Sequence, residues 1–162
     1  MKKIFLVVAL IATVWIKPGF AQVSQAKALL TSYYDIKNAL VNSDAALAAS
    51  KASEFSKVLG NIDMKSMSEA EMTAFKSFQD KLAFDAEHIS ETKDISHQRE
   101  HFANFSTNLF KLAKAVKLTK ESVYYDYCPM KKSYWLSENA VIKNPYFGKQ
   151  MLTCGAIKET LK

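Results

Sequence analysis

Two short segments near the C-terminus each combine a cysteine with a methionine. In "YCPM", Cys128 and Met130 stand two positions apart, and in "MLTC", Met151 and Cys154 stand three apart. Two thiolates with one or two thioethers form a soft ligand set, which favours copper(I) over hard cations. The two segments therefore predict a copper(I) site built from these four side chains.

A disulfide is the alternative use of the same two cysteines. The sequence contains only this pair, and paired cysteines in an oxidising compartment usually become a disulfide unless a metal holds them. A Cys128–Cys154 bond would close a loop of about 27 residues and stabilise the fold by about 3.5 kcal/mol in the chain-entropy model. A third use, a switch between the disulfide and metal-bound thiolates, requires an exposed and strained bond. The residues themselves leave all three uses open, together with a pair of thiols that stay unpaired.

The three histidines of the sequence form a second candidate site. His97 and His101 stand four apart in a helical segment, so both point to one side and can share a metal ion. His88 lies near the end of the preceding helical segment, and the short link at residues 92–94 brings it back toward that pair. We expect His88 and His97 as a secondary metal site, in which His101 can share the ion, and no pattern in the sequence links these histidines to the cysteines. The alternative is three ordinary surface histidines.

The sequence offers little for catalysis. It contains no glycine-rich phosphate loop, no GxSxG, no CxxC and no HExxH. Its carboxylates are spread over the polar faces of helical segments, as is typical of solvated surfaces. We therefore expect a protein that is not an enzyme.

Four amphipathic segments that would position these residues occupy residues 24–118. Apolar residues recur in them at spacings of three and four, as in an α-helix, and the first such stripe is Leu29, Tyr33, Ile36 and Leu40. Short links make successive helices antiparallel, which predicts an up-and-down four-helix bundle. Helix-capping signals agree with these boundaries: Ser43 or Asp44, Gly60, the Ser68–Glu71 capping box, and Asp94.

Residues 121–162 differ in composition, with most of the tyrosines and both cysteines. "VYYDY" has strand propensity, and "GAIKETL" is predicted as a final short helix. We expect this segment to fold back over the bundle, which gives a mainly all-α fold and a single domain over residues 22–162.

Residues 1–21 have the layout of a secretory signal peptide, with a basic start, a thirteen-residue apolar run and cleavage between Ala21 and Gln22. The apolar run is shorter than the roughly 20 residues of a spanning helix. Without this segment the formal net charge falls from +6 to +3, because Lys2, Lys3 and Lys17 leave with it. We expect a periplasmic or secreted protein with no membrane span after cleavage and no nucleic-acid partner.

Five segments in a fixed order carry a resemblance: "HFANFSTNLFKLAK", "YYDYCPM", "WLS", "NPYFG" and "MLTCG". Together they resemble an uncharacterised exported helical domain family of Bacteroidota, a domain of unknown function. That domain also occurs fused to the periplasmic adaptor proteins of heavy-metal efflux systems. The resemblance spans roughly residues 33–161 and implies handling of copper or a related heavy metal, with an efflux adaptor as partner.

The resemblance carries over to individual residues of the C-terminal segment. It implies Cys128, Met130 and Cys154 as the metal site, with Met151 and His101 as additions. "YCPM" is also similar to the heavy-metal-binding motif of such adaptors, in which a histidine follows the methionine, whereas here Lys131 takes that place. The function expected is copper(I) binding for sequestration or efflux. The alternative is a non-catalytic structural or interaction module stapled by a Cys128–Cys154 disulfide.

Overall fold

The computed structural model describes the backbone of residues 18–162 and the side chains of residues 25–162 except that of Ser66. The four helices are α1 (Pro18–Val41), α2 (Ala45–Gly60), α3 (Glu69–Glu91) and α4 (Ile95–Val116). The three strands are β1 (Val123–Cys128), β2 (Ser133–Ser137) and β3 (Ala156–Leu161). Nearly all of the predicted signal peptide lies outside the described residues, so its cleavage stays a prediction. None of the described helices is long and apolar enough to cross a membrane.

The predicted helix boundaries are confirmed by capping hydrogen bonds. The Asp44 side chain caps α2, and Asp94 caps α4. Ser68 and Glu71 form the capping box at the start of α3. These side chains accept hydrogen bonds from backbone N–H groups that have no partner inside the helix. The starts of α2, α3 and α4 are therefore fixed by local sequence.

The helices enclose one apolar core, and each packs against the next along the chain. The stripe predicted for α1 is wholly buried: Leu29, Tyr33, Ile36 and Leu40 are all 0% exposed. The Tyr33 hydroxyl lies 2.7 Å from the Ser106 hydroxyl and accepts a hydrogen bond from the Leu136 backbone N–H at 3.0 Å. This one hydroxyl therefore joins α1, α4 and β2.

The expected all-α fold class is wrong, because residues after 121 form a three-stranded antiparallel sheet in the order β2–β1–β3. "GAIKETL", predicted as a helix, supplies β3. It pairs with β1 from Tyr127↔Ala156 to Val123↔Leu161. A lone segment of this composition favours a helix, but the hydrogen bonds of a ladder with the aromatic strand β1 outweigh that preference.

Arg99 on α4 ties the C-terminal region to the bundle. Its Nε donates to the Pro145 carbonyl at 2.8 Å. Its Nη2 donates to the Leu40 carbonyl at 3.0 Å and to the Ser43 hydroxyl at 2.9 Å. The guanidinium thus joins the "NPYFG" turn to the corner between α1 and α2, directly beside the start of α4.

A strip of buried charge lies between the sheet and α1. Lys37 is 1% exposed, and its ammonium donates a hydrogen bond to the Glu138 carboxylate at 2.6 Å. Asp126 on β1 is 0% exposed, and neither of its carboxylate oxygens has a hydrogen-bond partner among the described residues. Burial, with a smaller contribution from the Glu138 carboxylate, raises the pKa of Asp126 to about 6 against the lowering effect of Lys37.

Gly148→Ala should destabilise the fold by about 1–3 kcal/mol. Gly148 has φ +54°, and a Cβ there would lie 2.7 Å from the Ser43 Oγ and 2.8 Å from the Val41 carbonyl oxygen. Gly60→Ala is the matched control, because a Cβ at Gly60 meets nothing within 4 Å; its effect should stay below about 1 kcal/mol. Urea unfolding of both variants measures the difference, and equal stabilities would contradict the close packing of this turn.

Asp126→Asn should remove a pH dependence of stability. Since the folded pKa of about 6 lies above the ordinary 3.8, the folded state binds this proton more tightly than the unfolded state. The stability contributed by Asp126 is therefore full at low pH and is lost as the pH rises through about 6, by up to about 3 kcal/mol. Unfolding free energies from pH 4 to pH 8 should converge for the two proteins at low pH, with D126N more stable at high pH. Parallel profiles would contradict this account.

Candidate metal centre

Three histidines form a cluster where the end of α3 meets the start of α4. One ring nitrogen from each of His88, His97 and His101 lies within 4.8 Å of those of the other two. The rings of His88 and His101 are stacked, with centroids 4.4 Å apart and planes within 3° of parallel. The His97 ring lies 4.8 Å from that of His101 and 6.1 Å from that of His88. All three side chains are partly exposed.

The cluster exists because the turn between α3 and α4 is short and well fixed. The Thr92 hydroxyl accepts a hydrogen bond from the Asp94 N–H at 3.0 Å. The buried Gln98 amide nitrogen lies 2.8 Å from the Thr92 carbonyl, 3.1 Å from that of Ile89 and 2.9 Å from that of Ala45. Gln98 thus satisfies carbonyl groups that the end of α3 leaves without helical partners. It also sets the distance at which His88 faces the histidines of α4.

Asp85 orients one of the three rings. Its carboxylate lies 3.1 Å from Nδ1 of His101 and is 3% exposed as a residue. In the neutral ring Nδ1–H donates to the carboxylate, so Nε2 keeps its lone pair free for a metal. Such a carboxylate–histidine pair is the usual outer support of a histidine ligand. Burial raises the pKa of Asp85, and hydrogen bonds from His101 and Asn108 oppose the rise.

Phe84 covers one side of the cluster. Its ring lies 4.4 Å from that of His88 and 5.8 Å from that of His101, and the residue is 55% exposed. An exposed phenyl ring beside imidazoles shields them from water on that side, which strengthens ligand–metal interactions by lowering the local dielectric. The side chains of Asp85 and Phe84 were not singled out from the sequence.

The two cysteines meet at a different place. Burial, followed by the neighbouring Cys128 thiol, raises the pKa of the Cys154 thiol, and a hydrogen bond between the two adds to the rise. Cys128 is 0% exposed, and its sulfur accepts a hydrogen bond from the Lys131 backbone N–H at 3.4 Å. Met130 is 64% exposed, and Met151 is partly buried.

The five residues expected to form a copper(I) site therefore fall into separate environments. The structure places Cys128 beside Cys154, and it places His101 with His88 and His97. Within residues 25–162, the three histidines are the one group of three or more His, Cys, Asp or Glu side chains with metal-binding spacing. A copper(I) site on Cys128, Met130, Met151 and Cys154 stays a prediction, and His101 belongs to the other cluster.

Residues 29–121 match a protein family described as "Protein of unknown function (DUF3347)". The match covers more than half of the sequence. The chain belongs to the DUF3347 family. The DUF3347 segment contains all three histidines, Asp85 and Gln98, and it ends before the sheet, although the resemblance noted from the sequence extended to residue 161. Comparison with curated proteins found no match, and comparison with solved structures found none.

Asp85→Asn should change the tautomer of His101 without any metal present. The carboxylate accepts only, so it favours the Nδ1–H form, whereas an asparagine amide can donate to Nδ1 and favours the Nε2–H form. Two-bond ¹H–¹⁵N spectra of the neutral ring at mildly alkaline pH distinguish the two tautomers. His97 in the same spectra is the internal control, because its ring has no carboxylate contact among those described. An unchanged His101 tautomer in D85N would contradict the orienting role.

Proposed function

We propose that this protein is a non-catalytic, transition-metal-binding protein of the cell envelope, with His88, His97 and His101 as the ligands. The observation that carries the proposal is that one ring nitrogen from each of three histidines, on two helices, lies within 4.8 Å of the other two. A buried carboxylate supports one of these rings from behind. Imidazole is a preferred ligand of zinc, copper and nickel. Three histidines with one open position is a familiar composition for such sites.

The cluster needs only a modest closure to bind a metal ion. Metal–nitrogen bonds of about 2.0–2.1 Å in a tetrahedron place ligand nitrogens about 3.3 Å apart. The present separations reach 4.8 Å, so side-chain rotations that bring the nitrogens about 1.5 Å closer complete the site. The rings are partly exposed and can rotate, while Gln98 and Asp85 keep the backbone and one ring in place. Closure requires His88 to leave its stacked position against His101, since two parallel rings cannot both point a lone pair at one ion.

The ligand set favours a divalent ion. Without sulfur in the cluster, the reason to expect copper(I) is weaker there than at the cysteines. Nitrogen ligands bind divalent copper most tightly among the first-row ions, and three histidines with one open position also suit tetrahedral zinc. We therefore propose copper(II) or zinc for the histidine cluster.

An open fourth position suits sequestration or transfer. With three protein ligands on an exposed surface, an acceptor protein can supply the fourth ligand and then displace the others one at a time. The signal-peptide layout of residues 1–21 supports a periplasmic or secreted location. The resemblance to domains fused to heavy-metal efflux adaptors supports such an adaptor as the acceptor. A Bacteroidota origin for the chain, which the same resemblance implies, is part of this proposal.

A competition titration with zinc and with copper(II) tests the proposal on purified protein that carries no histidine tag. We expect one ion per chain, and we expect His97→Ala to weaken binding by more than the 10–100-fold typical of changes to outer-shell groups. D85N should weaken it by about 10–100-fold. The control is Cys154→Ser, which should bind as the wild type does.

Two results would contradict the proposal. One is binding that survives in His97→Ala at wild-type strength. The other is zinc or copper(II) binding that is lost in Cys154→Ser and unchanged in His97→Ala, which would return the site to the cysteines. Circular dichroism of each variant separates loss of ligand from loss of fold.

A further inference from the structure

We propose that Cys128 and Cys154 are a redox pair that forms an intramolecular disulfide, with Cys154 as the thiol that reacts first and Cys128 as the thiol that completes the bond. The proposal is independent of the histidine site. It rests on the pairing of β1 with β3, on the unequal exposure of the two thiols, and on the hydrogen bonds that hold the Cys154 segment in place.

Strand pairing brings the segment that carries Cys154 next to Cys128. The last described pair of the β1–β3 ladder is Tyr127↔Ala156, so one further step sets Cys128 opposite Gly155, the neighbour of Cys154. Gly155 has no room for a side chain, because a Cβ there would lie 2.6 Å from the Trp135 ring and 3.2 Å from the Tyr127 carbonyl oxygen. This close approach of the two backbones sets the Cys154 segment beside Cys128, and the Cys128 thiol is near enough to raise the pKa of Cys154.

Asn144 fixes the segment that carries Cys154. This buried side chain donates from Nδ2 to the Cys154 carbonyl at 2.6 Å, and its Oδ1 accepts from the Tyr146 N–H at 2.8 Å. Its backbone N–H donates to the Leu152 carbonyl at 2.8 Å. The backbone around Cys154 is therefore fixed by Asn144 on one side and by the β1–β3 ladder on the other, through bonds that involve neither sulfur. The pair is thus preorganised for closure.

Exposure gives the two thiols different roles. Cys154 is partly exposed, whereas Cys128 is 0% exposed. An external oxidant can therefore reach Cys154 and has no path to Cys128. The Lys131 backbone N–H that donates to the Cys128 sulfur at 3.4 Å stabilises its thiolate when that thiol loses its proton.

The reaction consumes one external disulfide. At a pH high enough to ionise Cys154, whose pKa is raised, its thiolate attacks one sulfur of a small disulfide such as oxidised glutathione. The other sulfur leaves as a thiolate that takes up a proton. The Cys128 thiolate then attacks the Cys154 sulfur and expels the second glutathione as a thiol. Two electrons pass from the protein to the glutathione, and the two protein thiol protons end on the two released thiols.

Intact-mass analysis after exposure of the reduced, folded protein to oxidised glutathione tests this order. The wild-type protein should lose the mass of two hydrogen atoms and retain no glutathione. Cys128→Ser should retain one glutathione on Cys154, because the second attack is missing. In folded Cys154→Ser, Cys128 should react at least about tenfold more slowly than Cys154 does in the companion variant. In denaturant both variants should react alike, which is the control for thiol availability.

Three results would overturn the proposal: a wild-type protein that keeps two free thiols, one that keeps bound glutathione, or equal rates in the two folded variants. The wild-type mass decides the matter even if a variant fails to fold. His97→Ala should oxidise as the wild type does, so failure of the metal proposal leaves this test unaffected.

Discussion

The Gln98 amide fixes the turn between α3 and α4, and the geometry of the candidate metal centre depends on that turn. His88 precedes the turn and His97 and His101 follow it, so their separation is set by how tightly the two helices are joined. The Gln98 amide nitrogen lies within 3.1 Å of carbonyl oxygens from the end of α3, from the turn and from the start of α2. The two N–H groups of this amide are shared among three carbonyls, and displacing them would cost hydrogen bonds in a water-poor site.

The sheet closes the other side of the same scaffold. Arg99 directly follows Gln98 in α4 and donates to Pro145 in the "NPYFG" turn and to the corner between α1 and α2. Tyr33 joins α1, α4 and β2 through one buried hydroxyl. The C-terminal region is thus bonded to α4 at Arg99, which lies between His97 and His101 in sequence. Its own reactive groups, the two thiols, lie elsewhere. The fold presents two chemically distinct centres on one core.

The helical part could be predicted from sequence because its signals are local. Side-chain caps such as Asp44 and Asp94, and apolar stripes such as that of α1, depend on residues a few positions apart. β3 was predicted as a helix because its strand pairing is with β1, some 30 residues earlier, and no local signal reports such pairing.

For the site, the spacing of His97 and His101 and the short link after His88 indicated a shared location. The sequence did contain a signal for Asp85. This residue stands next to Ala86 in the buried stripe of α3, where an acidic side chain is rare unless it has a partner. The exposure of Met130 depends on how the C-terminal segment packs and could not be read from the spacing in "CPM".

Whether the three histidines bind the metal ion is tested most directly by a zinc titration of the labelled, reduced protein. The imidazole ¹⁵N and cysteine ¹³Cβ signals are followed as zinc is added. We expect the ring nitrogens of His88, His97 and His101 to shift together and to stop shifting at one equivalent, while the signals of Cys128 and Cys154 are unchanged. Cysteine signals that move while the three imidazoles do not would contradict this expectation and would place the metal at the thiols.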